Sequence, residues 1–172
     1  MHIRSVLAAL CLLLSSGCGY HLVTAHGGGP TDVVRLGEIV DATPWGDLGL
    51  RAQAGLRGAL AQRTRPKVVQ RPGTPVVRGR ITSSPARPAG YGENGDEVAS
   101  EVAVVLALRL EDAGGDVIWH SGPIRRVVPW HRGRTPVDSV AARRHAGERA
   151  VDAVVDEGIR RFLAAPPREG TP

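Results

Sequence analysis

The most regular pattern in the chain is a period of two over residues 97–111. Val98, Ser100, Val102, Val104, Leu106, Leu108 and Leu110 take the even positions, while Glu97, Glu101, Arg109 and Glu111 fall on odd ones. Such alternation predicts a strand with one buried face. Ala113-Gly114-Gly115-Asp116 then reads as a hairpin turn. A returning strand follows from Val117, broken at Gly122-Pro123 and resuming over residues 124–130. Upstream, Val77, Gly79 and Ile81 alternate with Arg78, Arg80 and Thr82, which predicts a strand with one dry face and one basic face. Residues 85–95, rich in Pro and Gly, read as a loop. Residues 33–40 form a first strand of imperfect alternation. Residues 67–70, between Pro66 and Pro72, suit a short edge strand.

Two segments switch to helical spacing. Leu48, Ala52, Leu56, Ala59 and Leu60 follow Asp47, which stands at the N-cap position; Gly49, Gly55 and Gly58 weaken this helix. The second helix opens on Thr135-Pro136-Val137-Asp138, with a capping Thr, Pro at the first helical position and an acid in the first turn. Val140, Gly147, Val151, Val154, Val155 and Phe162 form its apolar stripe, and Pro166-Pro167 end it. The order β-α-β-β-β-α predicts an α+β two-layer sandwich. Its sheet is mainly antiparallel with four to five strands, and both helices pack on one face. One domain is expected over residues 31–165, with a disordered tail over 166–172.

The N-terminus is patterned differently. Arg4 precedes an uncharged apolar run over residues 6–14, and Ser15-Ser16-Gly17 leads into Cys18. This is the order of a bacterial lipoprotein signal peptide, with residues 1–17 removed and Cys18 acylated. Residues 18–30 would then be a short tether. Gly19 after the cysteine favours an outer-membrane address, with the domain on the periplasmic side. No run reaches the roughly 18 residues of a membrane-spanning helix.

Charge adds a second layer of organisation. The 172 residues hold 22 basic and 17 acidic side chains, net +5. Residues 48–92 carry nine basic groups and no acid, residues 93–116 seven acids and one Arg, and residues 117–135 four Arg and no acid. Almost every cation is Arg, whose fork matches phosphate. Arg78 and Arg80, with Arg125 and Arg126 on the returning strand, are the candidate polyanion patch. Aromatic residues make up 3% of the chain, too few for the stacking platforms of single-strand nucleic-acid binding, so no nucleic-acid partner is expected.

No catalytic or metal motif stands out. His120, His131 and His145 are irregularly spaced, no HExxH or CxxC occurs, and Gly27-Gly28-Gly29 lacks the Lys-Ser/Thr of a phosphate loop. The chain is therefore read as a non-enzyme with no cofactor and no metal.

Gly17-Cys18-Gly19-Tyr20-His21-Leu22 resembles the opening of the LPS-assembly lipoproteins, the LptE-like family. Val76-Val77-Arg78-Gly79-Arg80-Ile81, Ala103-Val104-Val105-Leu106-Ala107-Leu108 and Asp116-Val117-Ile118-Trp119 resemble its central strands, and the long closing helix matches as well. Asp41-Ala42-Thr43-Pro44-Trp45 stands where that family usually has an Asn-Arg-Thr-type segment. The resemblance implies a lipid-anchored plug within the β-barrel that inserts lipopolysaccharide into the outer leaflet. That plug would form a heterodimer with the barrel, help it assemble and bind lipopolysaccharide itself. Arg78, Arg80, Arg125 and Arg126 would meet lipid A phosphates. The alternative is a regulatory lipoprotein that reaches into the periplasm to activate a cell-wall synthase. The short tether disfavours that reach.

Overall fold

A computed structural model describes residues 29–95 and 97–167. The signal segment, Cys18 and residues 168–172 of the tail lie outside the described residues. Gly29 and Pro30, expected in the tether, are buried, and Gly29 lies against Phe162.

The elements are β1 (Val33–Asp41), α1 (Leu48–Ala61), β2 (Lys67–Val68), β3 (Val76–Tyr91), β4 (Glu97–Glu111), β5 (Val117–His131) and α2 (Pro136–Ala164). The α+β class and the pair of helices match expectation. The sheet differs. Its order is β2-β1-β3-β4-β5, and it is mixed, since β1 runs parallel to both β2 and β3. The reason is α1. A helix carries the chain back to the end of the sheet where β1 began, so the strand that follows must run alongside β1 rather than against it. Only β3-β4 and β4-β5 are antiparallel.

Two further expectations are corrected. Residues 85–91 are not loop but the second half of β3, which stays paired with β4 as far as Tyr91. Pro85 and Pro88 are tolerated because β1 leaves β3 after Ile81, so beyond that point β3 is an edge strand. Register shifts flank both prolines. Gly122-Pro123 likewise does not split β5 but makes a bulge within it. The Leu108 amide there donates to Ser121 Oγ at 2.9 Å instead of to a backbone carbonyl, and Ser121 Oγ donates to the Gly122 carbonyl at 2.6 Å.

The alternation of β4 is realised from Ser100 to Leu110, apart from the small Ala103, which is buried on the odd face. Val98, expected on the buried face, is exposed because it lies at the tip of the strand beyond the core. Val102, Val104, Leu106, Leu108 and Leu110 are all buried. Val104, Leu106, Leu108 and Leu110 meet Val77 and Ile81 of β3, Ile124 of β5, Leu56 and Leu60 of α1, and Val151, Val154 and Phe162 of α2 in one core. Glycines let the helices come close, as at Gly158, where a Cβ would lie 2.8 Å from Leu108. A satellite cluster of Val102, Trp130 and Ala146, with Trp45 beside it, fills the end of the sandwich where α2 begins. The hairpin turn after β4 forms as its sequence predicts: Asp112 Oδ1 accepts from the Gly114 and Asp116 amides, and Gly115 has a φ of 93°.

The caps divide into one success and one correction. Thr135 and Asp138 form a full capping box on α2. Asp47 holds the N-cap position of α1, but its side chain pairs with Arg144 of α2 and caps nothing. Asp41, at the end of β1, does that work. Its Oδ2 accepts from the Gly49 amide and its Oδ1 from the Thr43 amide, both at 2.8 Å. Burial pushes the Asp41 carboxyl up, but hydrogen bonds from Thr43, Gly49 and Leu48 outweigh it and hold the carboxyl below its ordinary value. Glu157 is also lowered, first by its bond from Arg161, then by Arg160 and Arg126.

A carboxyl depressed in the folded state contributes stability above its unfolded pKa and loses it as pH falls through that value, near 4, toward the folded one. Asp41→Ala is therefore expected to cost about 1–2 kcal/mol near neutral pH and to flatten the acid limb of the stability curve. Urea unfolding between pH 7 and pH 3 tests this; an unchanged acid limb would show that the Asp41 carboxylate contributes nothing to it.

Candidate functional site

The sheet face away from the helices is the distinctive surface, and its composition follows from register. Odd positions of β4 point to it. Cross-strand pairing then brings Arg78 opposite Arg109, Arg80 opposite Ala107, Thr82 opposite Val105, Arg125 opposite Val105 and His120 opposite Arg109. Like charges facing each other across a ladder are destabilising, and the Arg78–Arg109 pair is relieved by one acid. Glu111 Oε2 accepts from Arg78 Nε at 2.8 Å, and its Oε1 lies 2.7 Å from Arg109 Nε. One carboxylate thus holds two guanidinium groups and leaves a net positive charge.

Arg80 and Arg125 are exposed and carry no ion pair among the described residues. They sit two strands and two residues apart, about 12 Å between Cα atoms from standard sheet spacings. Two long side chains can close that distance on a diphosphorylated headgroup. Between Arg80, Arg109 and His120 lies a depression of about 460 Å³. Its floor is formed of small groups, Gly79, Ala107 and Gly122, and Val40 and Val117 extend it with exposed apolar surface. The Ser121 bulge makes the hollow possible: Gly122 has a φ of 65°, which favours glycine and so leaves no side chain there. On the helix side, Arg161 Nη1 donates to the Ser121 carbonyl at 2.9 Å and fixes the bulge. Cationic forks beside an apolar hollow suit an anionic amphiphile.

Of the four arginines singled out from sequence, Arg78, Arg80 and Arg125 share this face. Arg126 lies on the other side of the sheet, where its Nη2 is 3.8 Å from Glu157 of α2. Neighbouring strand residues point to opposite faces, so Arg125 and Arg126 could not both join one patch. Arg109, His120 and Glu111 were not singled out. The alternation of β4 already placed Arg109 and Glu111 on the wet face, but only register shows which cations they meet. Cys18 lies outside the described residues. Among those described, no group of His, Cys, Asp and Glu could hold a metal ion, and no helix is long and apolar enough to cross a membrane.

No protein-family model matches the sequence, nor does any curated protein. Solved structures do share the fold. Rare lipoprotein B from Shewanella oneidensis is similar at a TM-score of 0.55 and 12% identity, covering 74% of this chain and 91% of its own. A minor lipoprotein from Acinetobacter baumannii matches at 0.55 and 12%, covering 77% and 93%. An uncharacterized lipoprotein B from Nitrosomonas europaea matches at 0.52 and 20%, covering 83% and 89%. At these identities the likeness establishes the fold, which the chain has in common with these lipoproteins.

Proposed function

We propose that the chain is an outer-membrane lipoprotein, held on the periplasmic side by acyl groups on Cys18, that binds lipopolysaccharide on its open sheet face. In the same reading it plugs and helps assemble the β-barrel that inserts lipopolysaccharide into the outer leaflet. The observation that carries this is the face itself. Arg80, Arg109 and His120 line an apolar hollow, Arg125 stands on the same face, and Glu111 is the acid that pairs with Arg109 and Arg78. A basic rim and an apolar floor on one face match the two halves of a phosphorylated glycolipid. The lipoprotein fold and the Cys18 segment support the anchor, and the resemblance at residues 17–22 supports the assembly role.

The double variant Arg80→Glu/Arg125→Glu tests it. Both side chains are exposed, so the fold is expected to survive. Affinity for lipopolysaccharide aggregates is expected to fall at least about tenfold, the equivalent of ~1.4 kcal/mol, and the loss should be larger at low salt. Arg126→Glu serves as the comparison on the opposite face. Unchanged binding by the double variant, measured on folded protein, would overturn the assignment of this face.

A further inference from the structure

The end of the sandwich where α2 begins carries a second surface that lies apart from the open sheet face. A hollow of about 640 Å³ lies between Trp130, Pro88 and Val140, and another of about 350 Å³ between Pro44, Trp45 and Val140. Val140 and Arg143 line both, so the two form one groove across the first turns of α2. Its walls are apolar where solvent would favour polar groups. Val140, expected in the buried stripe of α2, is 68% exposed and Val137 is 77% exposed. Tyr91 and Val98, at the adjoining β3-β4 tip, are exposed as well.

Among the described residues the charge in the larger hollow has one sign: Arg132, Arg134 and Arg143 line it, and no acid does. The acid in the smaller hollow, Asp47, is engaged by Arg144. Asp138 is committed to the capping box. Arg143 is held by its stack over Trp45, 5.3 Å from the ring centroid, rather than by a carboxylate, and its buried Nε has no hydrogen-bond partner among the described residues. A guanidinium fixed by an aromatic ring in an apolar groove, without an acid, is half of an ion pair.

Both ends of the described chain lie away from the groove. Gly29 packs on Phe162, at the far end of α2, and a 29-residue helix is about 43 Å long. Residues 1–28 contain no Asp or Glu. We infer that this groove docks an extended segment of a partner protein that carries both acidic and apolar side chains. The apolar side chains lie along Trp130, Val140 and Trp45, and carboxylates meet Arg143 and Arg134.

The test is a photo-crosslinking amino acid at position 140 of the full-length chain, activated in its native envelope, with the adduct mapped by mass. The expected result is a protein adduct whose crosslinked peptide holds acidic and apolar residues. Its yield should fall at least about tenfold in Arg143→Glu or in Arg134→Glu. The second variant guards against a folding defect at the Trp45 stack. The same crosslinker at Leu50, exposed on α1, should not capture that peptide. An adduct only with another copy of this chain, only with lipid or glycan, with a peptide lacking acids, or with a yield that both reversals leave unchanged would overturn the proposal.

Discussion

Leu106→Ala is expected to lower the unfolding free energy by about 3 kcal/mol or more, the largest stability loss of any change considered. Leu106 is fully buried at the middle of β4. Ile81 of β3 and Ile124 of β5 pair with it on either side, and Gly158 of α2 lies above its Cδ2. Neighbours on both strands and on the helix are already fixed by their own packing, so they cannot collapse into the space left by the missing atoms. Leucine truncations at such sites cost roughly 2.7–5 kcal/mol, a large part of the 5–15 kcal/mol that holds a typical domain together. Val105→Ala, one residue away on the open face, should cost far less. Urea unfolding of both variants reads the difference. A larger loss for Val105→Ala than for Leu106→Ala would mean that β4 is shifted by one residue, since a single-residue slip exchanges its two faces.

Cys18→Ser is expected to move the protein from the membrane fraction to the soluble fraction. Acyl chains contribute about 0.8 kcal/mol per buried CH₂, and two lipid signals already suffice for stable anchoring. No described helix could replace that anchor by crossing the bilayer. Fractionation of native cells, followed by a high-salt wash of the membranes, reads the result. Retention of the serine variant through the salt wash, with residues 1–17 removed and no barrel protein bound to it, would refute Cys18 as the anchor. Retention that the wash abolishes would instead assign attachment to the basic sheet face, which also counts against the lipid anchor.

Local chemistry was easiest to read where it acts over a few residues. The β4 alternation between Ser100 and Leu110, the Ala113–Asp116 turn and the Thr135-Pro136-Val137-Asp138 helix start needed little long-range information, and each formed, with Ala103 the exception within the strand. What escaped depended on neighbours distant in sequence. Pro85 and Pro88 looked like loop residues because their place at an unpaired edge is set by where β1 ends. Asp47 looked like a cap because the competing Asp41 lies eight residues from the amide it serves, at Gly49, and Arg144 lies on another helix. Val140 kept the helical phase of the core stripe, yet α2 extends past the edge of the core before its first buried residue, Ala146. The candidate site shows the same division. The basic face of β3 was legible, whereas Arg109 joined it only through its pairing with Arg78, and Arg126 left it because alternation carries it to the α2 side.

With the protein lipid-anchored as proposed, the prolines of β3 would have a consequence at the membrane surface. Molecules held on one surface meet repeatedly at high local concentration and in similar orientations, conditions that favour edge-to-edge growth of sheets. From Thr82 to Tyr91, β3 offers a strand edge that β1 does not cover. A neighbour adding there would need a continuous row of donors and acceptors, and Pro85 and Pro88 have no N–H to give. The register shifts beside them break the repeat as well. A crowded layer of these molecules can therefore remain a set of separate domains, each with its basic face and its groove open, instead of polymerising through the strand that would be the easiest to extend.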